Sequence, residues 1–410
     1  MKILHISTNQ SGGAATAAIR LHKALLLEGE ESRMLTLTGE NSDNTISVYK
    51  PLLNYGKKSG IPKLIKGLIY RLNIGIGYYW RLHDTVRREH GCQYTFPITL
   101  YRVERHPLVR WADIIHLHYC DDFINYPTFF SKIKKPIVWT LHDIGIGYGG
   151  FHYKYDYETF YPFFEELEKK LYAIKEKAVL SADNLTLISL SNDMYTFTQG
   201  IDFLARLPNK NAYNITDTSL FVMKDRLEAR LTLDLPTDKT ILLFISENIN
   251  TKSKGLDTLK QAIRELDNTN FLLCIVGNYD KKIPKQDSVA TRYFGTVCDK
   301  NILSEIYSSS DLLVVPSTQE SFCQTPLESM ACGTPVVVFP TGAMRDYVKP
   351  EQGVVCRDCS VSALVDGINE ALHKKYVRSI IREYVTTHFS PSIIAKSYIN
   401  IYKNALKELL

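Results

Sequence analysis

Short apolar runs rich in β-branched residues recur along nearly the whole chain. In the first half they are KILHIST, SRMLTL, ADIIHLH, PIVWTLH and NLTLISLS; in the second, TILLFIS, NFLLCIVG, DLLVVPS and TPVVVF. Stretches of helical period separate them. Runs of this length without polar alternation predict parallel strands buried on both faces, connected by helices in βαβ units. The two sets are divided by the weaker stretch RLPNKNAYNITDTSL, where we place a linker. The expectation is an α/β protein of two doubly wound, Rossmann-like domains, at 1–206 and 207–388. The closing segment 389–410 carries an apolar helical face (Ile393, Ile394, Tyr398, Ile401, Tyr402, Leu406). It either finishes the second domain or crosses back to the first, and we expect the crossing.

Length agrees with this division, because single cores rarely grow beyond about 250–300 residues and the chain has 410. No apolar run approaches the roughly 18 residues of a membrane span, and the start lacks a signal-peptide pattern. Eight scattered cysteines suggest a reducing compartment, so a cytoplasmic location is expected. Cys356 and Cys359 have C-x-x-C spacing, but no second pair completes a zinc site. The net charge of +5 is concentrated: residues 50–90 hold nine Lys/Arg and two Asp/Glu, a local +7. The remainder is slightly acidic, which argues against general nucleic-acid binding and for one basic face. Within that segment IPKLIKGLIYRL has one apolar helical face flanked by Lys63, Lys66 and Arg71. Such a helix packs on its own domain or lies on an anionic membrane, and 57–72 is the candidate contact.

In open parallel sheets ligands sit beyond the carboxyl ends of the strands, so the loops there hold the candidate chemistry. Glu320 follows the run DLLVVPS, and Glu328 lies eight residues further on. Thr325 is expected as the N-cap of a helix with Pro326 first inside it, and Thr325 with Glu328 has capping-box spacing. That structural reading stands beside a functional one. Free amides at a helix start suit a diphosphate, and a carboxylate at the rim can accept from two sugar hydroxyls. A nucleotide sugar has this layout. Gly12 and Gly13 follow the first strand and would let a phosphate or sugar approach the backbone; the alternative is a tight turn. Lys254, before Gly255, could offset charge on a departing diphosphate, or be a solvated surface lysine. His142 ends a strand, with Asp143 beside it to orient the ring. His116 and His118 are assigned to opposite faces of their strand, with only His118 near its edge. Nine of the seventeen residues from Tyr148 to Phe164 are Tyr or Phe, enough to pack beneath a long loop and leave one or two for a sugar acceptor. There is no D-x-D, H-E-x-x-H or cysteine–histidine cluster to hold a metal.

The E-x7-E pair inside ESFCQTPLESMACGTPVV closely resembles the signature of retaining GT-B glycosyltransferases of family 4. SGGAATAAIRLHKAL resembles that family's donor loop and following helix, and KSKGLDTLKQAI its basic diphosphate segment. ADIIHLHY and KPIVWTLHD are similar to acceptor-domain strands of the cell-wall and colanic-acid branch. The resemblance implies an N-terminal acceptor domain and a C-terminal donor domain facing a central cleft. It implies a catalytic set of Glu320, His142 and Lys254. Donor contacts would come from Gly12, Gly13, Lys252, Ser321, Phe322, Cys323, Gln324, Thr325 and Glu328, with Glu328 on the ribose. His118, Asp143 and Tyr148 would lie on the acceptor side. It also implies a nucleotide-sugar donor, a saccharide or lipid-linked acceptor, no cofactor and no metal. One departure is plain: where the family often has an arginine, this chain has Ser246-Glu247-Asn248, and Lys252 is the nearest further cation. Two rival readings remain, a nucleotide-sugar epimerase of similar fold and a non-catalytic glycan-binding relative. A dinucleotide oxidoreductase is disfavoured, because SGGAA does not continue as G-x-G-x-x-G.

Overall fold

The computed structural model describes residues 1–41, 43–50, 93–266, 270–279 and 289–408, and the segment 57–72 lies outside them. The chain divides into two compact units. The first comprises Met1–Leu190, Met194–Ala212 and Ala395–Leu410, and the second Ser191–Asp193 with Tyr213–Ile394.

The first unit is built on a seven-stranded sheet. Its strands are β1 (Lys2–Ser7), β2 (Glu31–Thr36), β3 (Ile46–Val48), β4 (Ile114–Leu117), β5 (Ile137–Leu141), β6 (Leu185–Ser189) and β7 (Asn209–Asn211). They lie in the order β3-β2-β1-β4-β5-β6-β7, and every pairing is parallel. The second unit holds β8 (Thr240–Asn248), β9 (Phe271–Asn278), β10 (Thr291–Gly295), β11 (Leu312–Val315), β12 (Val336–Val338) and β13 (Gly353–Val355). Their order, β10-β9-β8-β11-β12-β13, is again wholly parallel. Each order reverses direction once, between β1 and β4 and between β8 and β11. Right-handed crossovers on either side of such a reversal put helices on both faces of the sheet.

All nine apolar runs form strands, and among the described residues four further strands escaped the pattern. β3 and β13 have three residues each, β7 is the polar NKN, and β10 is half-exposed at a sheet edge. Edge strands need only one apolar face or none, so hydrophobic runs do not mark them. β7 also moves the division between units: the sequence placed it at 206/207, but Asn209–Asn211 pair with β6, and the first unit runs on to Ala212. The terminal helix Pro391–Glu408 buries Tyr398 and Tyr402 while Ile393 is 45% exposed. Its hold on the first sheet is partly polar, because the Tyr402 hydroxyl meets Nδ1 of His116 at 2.7 Å and Tyr398 meets Thr140 at 3.3 Å.

Candidate active site

In the second unit the candidate residues gather where the strand order reverses. β8 leads into the turn Lys252–Lys254, which closes on Gly255 at φ 77°. A Cβ at Gly255 would collide with the Pro316 carbonyl oxygen, so glycine alone lets this turn lie against the loop after β11. Thr318 N–H donates to Ser253 O at 2.9 Å and joins the two loops. The result is a 2.6 Å ion pair between Lys254 Nζ and Glu320 Oε1. Glu320 is 12% exposed and Lys254 33% by side chain, so the pair is partly shielded from water. A cavity of about 520 Å³ opens beside it, lined by Ser246, Glu247, Asn248, Thr251, Lys254, Asn278 and Thr296. These residues stand at the carboxyl ends of β8, β9 and β10. Glu247, within the Ser246-Glu247-Asn248 stretch where the resemblance expects an arginine, is exposed in this lining, and Lys252 is exposed on the adjoining turn.

The loop carrying the glutamates is fixed from below. Gly342, at φ 53°, lies under the Glu320 and Ser321 carbonyls, where a Cβ would collide. Ala343 N–H donates to Ser321 O at 3.1 Å, and the Tyr347 hydroxyl to Cys323 O at 2.7 Å. Phe322, expected as a donor contact, is 4% exposed and packs on the rings of Tyr347 and Tyr213. Its side chain anchors the loop. Cys323 adopts φ 59°, and burial, assisted by the charge of Glu320, pushes its thiol up to about 12. It is a neutral thiol, 3.4 Å from the Thr325 hydroxyl.

The helix begins one residue earlier than expected. It spans Thr325–Ala331 with Gln324 at the N-cap, and no side chain caps it. Thr325 is the first helical residue and cannot be the capping-box partner of Glu328. The Glu328 carboxylate, buried at 7% exposure, accepts from the Tyr307 hydroxyl at 3.1 Å. Tyr307 was not singled out in the sequence because it lies 21 residues away on another helix.

In the first unit Gly12, at φ 89°, caps the helix Gly13–Leu27. An added Cβ at Gly12 or Gly13 would meet nothing within 4 Å, so the positive φ, not crowding, accounts for Gly12. The histidines are closer together than expected. His116 and His118 share one face, with ring centroids 4.1 Å apart; the opposite-face assignment was wrong, because residues two apart on a strand point the same way. His142 Nε2 lies 3.1 Å from His118 Nδ1, and His118 Nε2 lies 2.9 Å from His5 Nδ1. His116 uses its nitrogens on Tyr402 and Thr140. Burial holds His5, His116 and His118 well below the ordinary imidazole value. Burial also pulls His142 down to about 4, against the charge of Asp143.

Asp143 does not orient His142. It accepts from Gly145 N–H and pairs with His152 Nδ1, each at 2.9 Å. Burial opposes the charge on both partners, yet their attraction lowers the Asp143 carboxyl and raises His152, giving an ion pair. The buried Lys175 donates to Gly145 O at 2.7 Å, and Glu168 accepts from Gly149 N–H and Gly150 N–H. These contacts pin the loop after His142. Glu168 and Lys175 lie well along the following helix, Lys154–Leu180, so no local motif announced them. Tyr148 stacks on Tyr157 at 4.4 Å, and with Phe151 and Phe164 these rings pack around Leu167 and Leu171. Packing accounts for most of the aromatic run.

Among the described residues, two sets of side chains bring three ligand-type atoms within 4.8 Å of one another: His5, His116 and His118, and Asp121, Asp143 and His152. In the first, both nitrogens of His116 and of His118 already have hydrogen-bond partners. In the second, His152 and the nearby Lys175 supply cationic charge to the carboxylates. Neither set presents three free lone pairs.

Residues 225–388 match the family Glycosyl transferases group 1. An uncharacterized glycosyltransferase, MJ1607 of Methanocaldococcus jannaschii, is 27% identical over 196 residues, 45% of this chain and 50% of that protein. A D-inositol 3-phosphate glycosyltransferase of Acidothermus cellulolyticus is 24% identical over 343 residues, 78% of this chain and 72% of its own length. The chain spans about half the length of the first relatives it matches. Among solved structures, sucrose-phosphate synthase of Thermosynechococcus elongatus aligns over 99% of both chains with a TM-score of 0.64 at 18% identity. HepE of Anabaena in complex with UDP aligns over 98% of this chain and 100% of its own, with a TM-score of 0.64 at 16% identity. These likenesses establish the fold. Residues 225–388 are therefore a glycosyl transferases group 1 domain, on a chain with the two Rossmann-like domains of the GT-B fold.

Proposed function

We propose that the protein is a retaining glycosyltransferase that moves a sugar from a nucleotide-sugar donor to a saccharide or lipid-linked acceptor in bacterial surface polysaccharide synthesis. The observation that carries the reading is the Lys254–Glu320 ion pair at the sheet's reversal point, beside a polar cavity and inside the matched domain. A cation held there by a carboxylate is positioned to neutralise a leaving diphosphate without reorganising as charge builds. Glu328 would accept from the ribose hydroxyls, and Tyr307 would hold its second oxygen. The UDP bound to a protein of the same fold supports a donor of this class. In this reading His142 meets the transferred sugar, and the acceptor hydroxyl attacks from the face the diphosphate leaves, passing its proton to the leaving phosphate. The chemistry uses no metal, and the basic segment 57–72 brings the enzyme to an anionic membrane surface.

A thermal-shift panel of UDP, GDP and their sugars, with and without EDTA, tests this. A ligand at 100 times its Kd adds about 2.7 kcal/mol, a shift of several degrees for domains of this size. We expect one nucleotide family to shift the transition, equally in EDTA. No shift from any nucleotide or nucleotide sugar would sink the donor reading; a shift abolished by EDTA would sink metal independence.

A further inference from the structure

His142, His118 and His5 form a hydrogen-bonded file of three imidazoles running from a partly exposed ring to a fully buried one. Every link joins a ring nitrogen to a ring nitrogen, so each needs one N–H and one lone pair. All three rings are neutral near pH 7, since burial depresses each of them. A neutral imidazole carries a single N–H. The three protons therefore cannot be placed independently. If His5 donates from Nδ1, then His118 must accept at Nε2 and donate from Nδ1, and His142 must accept at Nε2 and carry its proton on Nδ1. If His5 is protonated on Nε2, every ring is reversed, and His142 turns a lone pair outward.

The inner end selects between these states. Nε2 of His5 is buried and has no hydrogen-bond partner, the one ring nitrogen of the file in that position. Leaving an N–H there strands a buried donor, which folded proteins tolerate least. Placing a lone pair there avoids it. The outer end does not discriminate, because Nδ1 of the partly exposed His142 has no hydrogen bond among the described residues and can meet a donor or an acceptor.

We infer that His5 and His118 are positioning residues that fix His142 as its Nδ1–H tautomer, so that His142 offers a hydrogen-bond donor, not an acceptor, to its ligand. Resting on the proposed role of His142 toward the transferred sugar, this makes the ligand atom it meets a hydroxyl or ring oxygen with a free lone pair. His5 contributes from the core without touching the ligand.

The test is long-range proton–nitrogen NMR on the full chain labelled with 15N in the histidine rings at pH 7.5, with no ligand added. Resonances are assigned by single substitution of each histidine. The expected result is one tautomer, Nδ1–H, for all three rings. In His118→Phe the outward constraint is cut, and His142 should become a mixture of tautomers; in Thr140→Val, whose hydroxyl meets His116 and Tyr398 but no ring of the file, it should stay as in the wild type. An Nε2–H signal for His142 in the wild type, or different tautomers along the file, overturns the inference even if His118→Phe does not fold. So does a His142 tautomer unmoved by a folded His118→Phe. Because the protein is observed alone, these outcomes are separate from failure of the glycosyltransferase reading, which the nucleotide panel decides.

Discussion

Glu328 is a buried carboxylate with one oxygen held by the Tyr307 hydroxyl, and its partners decide what a substitution does. Glu328→Gln keeps an acceptor for Tyr307 but, on the proposed reading, replaces a charged acceptor for the ribose by a neutral one. Nucleotide affinity measured by calorimetry should fall by about tenfold or more, roughly 1.4 kcal/mol, with the fold retained. Unchanged affinity would leave Glu328 as a packing residue. Lys254→Ala leaves Glu320 without that partner and, on the proposed reading, removes the cation that would face developing negative charge. Turnover should drop by about 10²–10³, while donor Kd changes far less, since the interaction strengthens as the sugar departs. Equal losses in both would mean that Lys254 only binds the ground state. Residue types and spacing were enough to single out Lys254, Glu320 and Glu328. Tyr307, His5, His152, Glu168 and Lys175 were not legible, because each acts through a contact that no short motif marks and only the folded chain makes.

At the scale of elements, the loops after β8 and β11 meet because Gly255 allows it. Gly255→Ala puts a Cβ onto the Pro316 carbonyl in a backbone conformation that alanine resists. The variant should lose more than about 1 kcal/mol in urea unfolding and weaken nucleotide binding in step with the displaced Lys254 turn. Normal binding in a destabilised variant would separate the turn from the site. The histidines joining β1, β4, β5 and the Gly13–Leu27 helix give a pH signature. His22 and His142 are lowered to about 4, and His5, His116 and His118 are lowered as well, burial being the main cause in each. Between those values and about 6.5 the unfolded chain binds more protons than the folded one. Stability therefore rises with pH in that window, by about 1.4 kcal/mol per unit for each group. The raised His152 acts above 6.5 and in the opposite sense, its contribution fading as pH rises through its folded value. Unfolding free energy should thus be lower at pH 5 than at pH 7 by at least about 2 kcal/mol. Equal stability at the two values would contradict a buried neutral cluster.

For the whole molecule, charge distribution yields the remaining prediction. The +7 of residues 50–90 sits on a chain whose remainder is slightly acidic, so attraction to an anionic surface should be local, at about 1 kcal/mol per Lys or Arg near the lipid. Sedimentation with phosphatidylglycerol vesicles should show binding at low salt that fades toward 0.5 M, roughly twice the Debye screening of 0.1 M. Replacing Lys57, Lys58, Lys63 and Lys66 with Gln should reduce it without changing nucleotide affinity. No binding by the wild type at low salt would end the membrane proposal and leave the donor site untouched. By itself the sequence determined the two α/β domains and the central strands, and it marked the loops of the second unit that hold the candidate residues. Those features are local: strands buried on both faces must be continuously apolar, and a helix start, a glycine turn or a carboxylate pair is written in adjacent residues. Tertiary structure alone decided the short edge strands, the contacts by which the last helix is anchored on His116 and Thr140, and the placing of the N-cap of the Thr325–Ala331 helix at Gln324. It also decided the pairing of Asp143 with His152 rather than His142, and the imidazole file. Each depends on which elements become neighbours, and burial creates its energetics: only in a dry interior must ring nitrogens from β1, β4 and the end of β5 satisfy one another.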